Sequence, residues 1–405
     1  MRILLAQDSD WVMRNPAQQH HLLERMISRG HEVRVIDYDI LWKDRSRRGL
    51  LSKREIFHVS KVVEGVNITV IRPSLLRIRY FEYLSMLFTY SREIRRQMGE
   101  FNPDIVIGNS ILSNFLLMRQ AHRKGIPYVF SLVDAEHTLV PSKWLKSTGK
   151  MIESRLLRRA NLTIVINETL REYAVAMGAA RSRTTVIRAG IDSKRYNPEV
   201  DGNNIRSEYG IDQRDKVLLF MGWLYRFSGL SEAFKGMASL DRENVKLLVV
   251  GDGEAYEELK SVRMNLKLET RVIMTGKQPF HRIPEFIAAS DVCLLPAQIN
   301  ETMRHIVPIK VYEYMSVARP VVSTRLPGVV AEFGEGNGVV YVDSPDRVIS
   351  RALELIDSGT ASEEGLRARR FVENLSWDSI VNEFESALEY LVAEWNHMPS
   401  KIPTY

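Results

Sequence analysis

The chain has 405 residues, 45% hydrophobic and 26% charged, with 56 basic against 50 acidic side chains and a net charge of +6. That length and apolar content can bury two α/β cores and exclude a disordered chain. The single cysteine, Cys293, excludes an intrachain disulfide, and its place in the apolar run Val292-Cys-Leu-Leu reads as a buried thiol rather than a nucleophile. No apolar run approaches the roughly 20 residues of a membrane span, and Met1 to Ala6 reads as a strand rather than a signal peptide. The expectation is a cytoplasmic protein, at most peripheral on the inner face of the cell membrane.

Strand-like runs are predicted at Ile3 to Ala6, Val33 to Ile36, Ile105 to Ile107, Tyr128 to Leu132 and Leu162 to Ile166, then at Val217 to Met221, Lys246 to Val250, Val272 to Thr275, Val292 to Leu295 and Val321 to Thr324. Helical stretches separate them. Parallel strands need crossovers and read as continuous apolar runs, so this alternation predicts two parallel sheets covered by helices. The polar stretch Asn197 to Asp215 divides the halves. From Ser376 onward, Ile380, Phe384, Leu388 and Leu391 keep helical spacing and predict a C-terminal helix.

Along the chain, the Asp-rich turn Gln7 to Trp11 and the pair His20-His21 raise a metal site. Adjacent helical residues point about 100° apart, and no Cys-x-x-Cys or His-x-x-x-His spacing accompanies them, so no metal is expected. Asp37-Tyr-Asp39 reads as an edge turn. A basic stretch follows, from Lys43, Arg45, Arg47, Arg48, Lys53 and Arg54 to Arg72, Arg77, Arg79, Arg92, Arg95 and Arg96, interleaved with Leu76, Tyr80, Phe81, Leu84 and Phe88. Such a surface can dock on anionic lipid through charge and burial together, and no nucleic-acid motif accompanies it. The strand Tyr128 to Leu132 delivers Asp134 and His137 to its carboxyl end. Pro308 opens a helix that carries Lys310 and Glu313 three residues apart. A helix N-terminus offers unpaired amides and a partial positive charge, so this one is a seat for a phosphate, with Lys310 as added cation and Glu313 as acceptor for a ribose diol.

Taken in order, Val186-Ile-Arg-Ala-Gly190-Ile-Asp192 with Tyr196-Asn-Pro198, Val249-Val-Gly251-Asp-Gly253, Ala289-Ser-Asp291-Val-Cys-Leu-Leu-Pro296 and Pro308 to Thr324 resemble the family-four retaining glycosyltransferases, the glycosyl transferases of group 1. The resemblance implies the GT-B fold, two doubly wound Rossmann-like domains facing across a cleft. It divides the chain into an acceptor-binding domain at residues 1–198, a nucleotide-sugar-binding domain at 199–375, and a C-terminal helix at 376–405 that crosses back onto the first. It implies a sugar moved from a nucleotide diphosphate sugar to an acceptor hydroxyl, lipid-linked or on a polysaccharide, with retention, no cofactor and no enzymic nucleophile. Asp134 and His137 fall on the acceptor side. Gly222, Gly251, Gly253, Lys310 and Glu313 fall on the donor side, with Glu313 on the ribose.

Two positions depart from the pattern. His305 stands where the first of two glutamates is usual, with Glu301 and Arg304 nearby. Trp223 and Ser228 stand where a cation pair clamps the diphosphate, leaving Arg226 and Lys310 as the replacement pair. These departures leave a nucleotide-sugar epimerase and a non-catalytic partner of another transferase as rival readings.

Overall fold

The computed structural model describes residues 1–13, 16–38, 54–76, 78, 81–140 and 143–397. Asp39, Lys43, Arg45, Arg47, Arg48, Lys53, Arg77, Arg79 and Tyr80 lie outside the described residues. In chain order the elements are β1 (Arg2–Ala6), α1 (Gln18–Ser28), β2 (Glu32–Ile36), β3 (Arg54–Val59), β4 (Ile68–Arg72), α2 (Phe81–Glu100), β5 (Ile105–Gly108), α3 (Leu112–Lys124), β6 (Tyr128–Leu132), α4 (Lys143–Arg159), β7 (Leu162–Val165), α5 (Glu168–Ala176) and β8 (Thr184–Val186). They continue as α6 (Asn203–Glu208), β9 (Lys216–Met221), α7 (Leu230–Ala238), β10 (Val245–Val250), α8 (Tyr256–Asn265), β11 (Val272–Gly276), α9 (Ile283–Ala288), β12 (Val292–Leu295), α10 (Ile309–Ser316), β13 (Val321–Thr324), α11 (Pro327–Phe333), β14 (Val339–Val342), α12 (Val348–Asp357), α13 (Ala361–Val372) and α14 (Trp377–His397).

The chain forms two compact units, Met1–Arg188 with Trp377–Tyr405, and Ala189–Ser376. The first holds a sheet in the order β3-β4-β2-β1-β5-β6-β7-β8, the second a sheet in the order β11-β10-β9-β12-β13-β14. Every pairing is parallel except β3 with β4. The ten predicted strands are all present. Of those the hydrophobic pattern does not reveal, β3, β8 and β14 lie at sheet edges, where an exposed charge such as Glu55 is tolerated, while β4 lies next to the edge and is buried although it runs into Arg72. The stretch from Ala189 to Pro198 belongs to the second unit, so the division falls at Arg188 rather than at 198.

In each sheet the order reverses once, between β1 and β5 in the first unit and between β9 and β12 in the second. Loops leave the carboxyl ends there in opposite directions and open a crevice. Local signals place the helices around it. Asn167 caps α5 by accepting the Leu170 N–H at 2.8 Å, α3 stops where Gly125 turns left-handed with φ 63°, and Pro327 starts α11. Helix α14 belongs to the first unit, where Trp377 stacks on His21 of α1 at 4.2 Å and Trp395 donates to the Gly125 carbonyl at 2.8 Å.

Arg72 departs from the expected basic outer face. It is buried, its Nε donates to Asp37 Oδ1 at 3.0 Å, and its Nη2 donates to Asp37 Oδ2 at 2.6 Å and to Asp10 Oδ1 at 2.8 Å. Asp37 also accepts the Trp11 N–H, and its own carbonyl accepts the Tyr90 hydroxyl, so this cation joins the ends of β1, β2 and β4 to α2. Burial raises the Asp37 pKa, and the Arg72 guanidinium opposes that rise. Removing one member of a buried ionic group leaves its partners uncompensated, a loss of about 3–5 kcal/mol. Arg72→Ala is expected to lower the unfolding free energy of the first unit by that order, read as a lower urea midpoint, and a midpoint within error of wild type would refute the assignment.

Candidate functional site

The second unit builds its site from backbone. Gly222 follows β9 with φ 127°, and a Cβ there would lie 2.7 Å from Lys310 Nζ. A Cβ at Gly251, after β10, would lie 1.9 Å from the Gly222 carbonyl oxygen, and one at Gly253 would lie 2.6 Å from the Leu224 backbone. Glycine is required where chains approach this closely. The Leu224 N–H donates to the Asp252 carbonyl and the Ala255 N–H to the Leu224 carbonyl, each at 3.0 Å, which locks the two loops together. Across the reversal, the Gln298 N–H donates to the Phe227 carbonyl at 2.9 Å, tying the loop after β12 to the loop after β9.

Helix α10 enters this edge. Pro308 precedes it, and the Tyr314 hydroxyl accepts the Met221 N–H at 2.9 Å, pinning the helix to the end of β9. Lys310 Nζ lies over the Phe220 ring, 4.2 Å from its centroid, a cation on an aromatic face. Glu313 faces Tyr196 and Arg195. Burial lowers the Lys310 pKa to about 8 against the opposing pull of Glu313, and burial raises the Glu313 pKa to about 7 against Tyr196, Lys310 and Arg195. Arg195 and Tyr196 are the residues that sequence reasoning missed as neighbours of Glu313. The aromatic-x-Pro signal at Tyr196 marked the place without its role.

The remaining donor-side candidates diverge. His305 sits in the loop before α10, close to the start of α11: the Gly328 N–H donates to the Arg304 carbonyl at 2.9 Å, and a Cβ at Gly328 would meet the His305 backbone at 3.0 Å. Burial, and then the Arg304 charge, lowers the His305 pKa. Arg226 is solvent-facing, its side chain 73% exposed and 3.7 Å from Glu258, and Trp223 beside it is exposed. As built, Lys310 rather than Arg226 is the cation at the bare backbone.

In the first unit, Asp134 lies half-buried at the bend after β6 and His137 in the short turn Glu136–Leu139. His137 Nδ1 lies 2.9 Å from Glu153 Oε2 of α4. The pair His20 and His21 is structural: His20 holds the Trp11 carbonyl and the Ala17 N–H, and burial lowers its pKa to about 3, while His21 packs on Trp377. Among the described residues one group has metal-compatible spacing, His31 with Glu385 and Glu389. Arg29 and His31 both bond Glu385, and the amino terminus bonds His31 Nδ1 at 3.0 Å, so cations already fill that group.

Residues 215–358 match the family described as glycosyl transferases group 1, and residues 17–190 match the glycosyl transferase 4-like domain. The chain belongs to the group 1 glycosyltransferases. An uncharacterized glycosyltransferase of Methanocaldococcus jannaschii is 23% identical over 392 residues, 91% of this chain and 93% of that protein. The lipopolysaccharide 1,2-N-acetylglucosaminetransferase of Salmonella typhimurium is 25% identical over 49% of this chain and 54% of its own length. The structure of Anabaena HepE in complex with UDP-glucose superposes with a TM-score of 0.72 at 17% identity, over 96% of this chain and 99% of that one. This group 1 glycosyltransferase therefore has the GT-B fold expected from its motifs.

The two shifted groups of α10 set an expected pH dependence for nucleoside diphosphate binding. Glu313 accepts hydroxyl donors best when ionised, above about 7, and Lys310 attracts phosphate only while protonated, below about 8. Affinity is expected to peak between those values and fall on both sides. In Lys310→Arg, whose guanidinium stays charged, the alkaline limb is expected to vanish while the acid limb remains. Calorimetry with UDP from about pH 6 to about pH 9 measures both limbs; a flat profile in the wild type would refute the roles of this pair.

Proposed function

We propose that this glycosyltransferase moves a sugar from a nucleoside diphosphate donor to an acceptor hydroxyl with retention of configuration, in glycolipid, lipid-linked oligosaccharide or surface-polysaccharide assembly. The observation that carries the donor reading is Lys310 at the N-terminus of α10, beside backbone that Gly222 and Gly251 leave bare. A diphosphate there meets helix amides and one cation, while Glu313 accepts from ribose hydroxyls. The complex of HepE with UDP-glucose and the name of the Salmonella relative support a nucleotide sugar and a glycolipid acceptor.

In this reading the acceptor attacks the face from which the phosphate departs, the acceptor oxygen bonds the anomeric carbon, and the leaving phosphate oxygen takes the acceptor proton. The chain orients both substrates and stabilises charge growing on the diphosphate, terms worth on the order of several kcal/mol each. The reaction so written uses no metal. Lys310→Ala is expected to weaken UDP binding while leaving uridine binding unchanged. Glu313→Gln is expected to weaken both by about 1.5–3 kcal/mol, because a charge-assisted acceptor of hydroxyls becomes a neutral amide. Arg226→Ala joins the series as the test of whether that exposed cation folds onto phosphate. Equal losses for UDP and uridine in Lys310→Ala would remove the diphosphate from this helix.

For the acceptor, the reading is a lipid-linked sugar reached from the cytoplasmic face of an anionic membrane. None of the described helices is long and apolar enough to cross a membrane. Helix α2 instead exposes Phe81, Leu84, Leu87 and Phe88, the last 77% exposed, and then Arg92 and Arg95. At spacings of three and four these side chains share one face, apolar toward the start of the helix and basic toward its end. Arg96 leaves the expected set, because Glu55, Glu93 and Glu100 hold its guanidinium. Each cation near an anionic surface contributes about 1 kcal/mol, so neutralising Arg92 and Arg95 together is expected to cut binding to phosphatidylglycerol vesicles roughly thirtyfold at low salt. Sedimentation of wild-type protein that shows no preference for anionic over neutral vesicles would overturn this docking face.

A further inference from the structure

Glu153 is fully buried, and the sequence gives no sign of why a carboxylate should lie inside the first unit. Its partners answer. Oε2 accepts the His137 backbone N–H at 2.9 Å and lies 2.9 Å from His137 Nδ1, while Oε1 accepts the Tyr173 hydroxyl at 2.8 Å. The Tyr173 oxygen in turn lies 3.0 Å from the same Nδ1, and its ring runs nearly parallel to the imidazole, with 13° between the planes. Three elements thus meet at one ring: the turn after β6, helix α4 and helix α5. Gly149 on α4 helps them close, for a Cβ there would already stand 3.6 Å from the His137 Cβ.

The proton positions follow. The Tyr173 hydroxyl spends its hydrogen on Glu153 and turns an oxygen lone pair toward His137, and an ionised carboxylate has only lone pairs to offer. Two acceptor oxygens therefore face Nδ1, which must carry a hydrogen. In the neutral imidazole the lone pair is then on Nε2. We propose that Glu153 and Tyr173 are positioning residues that hold His137 as its Nδ1–H tautomer, so that Nε2 accepts a hydrogen bond from a substrate hydroxyl. The substrate in this statement rests on the glycosyl-transfer reading above; the tautomer does not. No covalent step runs through His137, whose part is to accept and align a hydroxyl at the carboxyl edge of the first sheet. The cost of burying the carboxylate is offset by three hydrogen bonds, which fix the ring against rotation.

The test uses the full chain, labelled with nitrogen-15, with His137 assigned by comparison with His137→Gln. In wild type, Nδ1 is expected to give a protonated, pyrrole-type shift and Nε2 an unprotonated, pyridine-type shift at a pH where the ring is neutral. Glu153→Gln puts an amide donor beside Nδ1 and is expected to mix or invert the tautomers. With UDP-glucose and an acceptor extract, kcat is expected to fall on the order of tenfold to a hundredfold while UDP affinity stays at the wild-type value. Tyr173→Phe removes one hydroxyl, keeps the ring, and is expected to lower kcat less, which gives a second reading should Glu153→Gln fold poorly. A wild-type Nε2–H tautomer overturns the proposal. So do an unaltered tautomer in Glu153→Gln and an altered tautomer with unaltered kcat in both variants. Absence of any transfer by the wild type would count against the glycosyl-transfer reading and the Nε2–hydroxyl contact, whereas the nitrogen shifts decide the tautomer on their own.

Discussion

Close backbone approach is the constraint on which the carboxyl edge of the second sheet depends. Where β9 and β10 end, Gly251 brings its Cα so close to the Gly222 carbonyl that any side chain would collide with it, and Gly222 itself leaves open the space that Lys310 fills. A parallel sheet whose order reverses already directs two loops apart, but a crevice lined by ordinary side chains would be filled by them. Glycine lets the two loops pack backbone against backbone there, and the N-terminus of α10 lies beside them. The sheet sets where these loops leave it, and the glycines let the loops and Lys310 approach one another this closely.

Burial decides the chemistry of the two α10 charges. Lys310 gives up solvent, receives the face of Phe220 in exchange, and is left with a pKa lowered to about 8. Glu313 is pushed the other way, to about 7. Both therefore titrate near neutrality rather than far from it, and an anion bound at the helix N-terminus would favour the charged lysine.

The first unit shows how little a count of charges says about a surface. Arg72 and Arg96 belong to a basic run, yet Arg72 is consumed by Asp10 and Asp37 inside the sheet and Arg96 by three glutamates around α2. Among the described residues, what the run leaves outside is the apolar-then-basic face of α2. Buried carboxylates have two different fates here. Those of Asp10 and Asp37 close on a permanent cation and join strand ends, whereas Glu153 closes on an imidazole and a phenol.

The sequence by itself determined the class of fold, the ten apolar strands and the helix carrying Lys310 and Glu313, because burial on both faces of a parallel sheet and the punctuation of Pro308 and Pro320 are written locally. Its motifs also determined the family. It did not determine the edge strands β3 and β8, whose short or polar runs are stable only once a neighbour pairs with them. Nor did it determine that Arg226 faces solvent while Lys310 meets the glycine loop, that Tyr196 and Arg195 face Glu313, or that Glu153 and Tyr173 hold His137. Each of those facts joins residues 16 to 118 positions apart, or turns one side chain inward and its neighbour outward. Spacing along a chain encodes which face of an element a residue occupies, but only the packing of one element on another decides what that face meets.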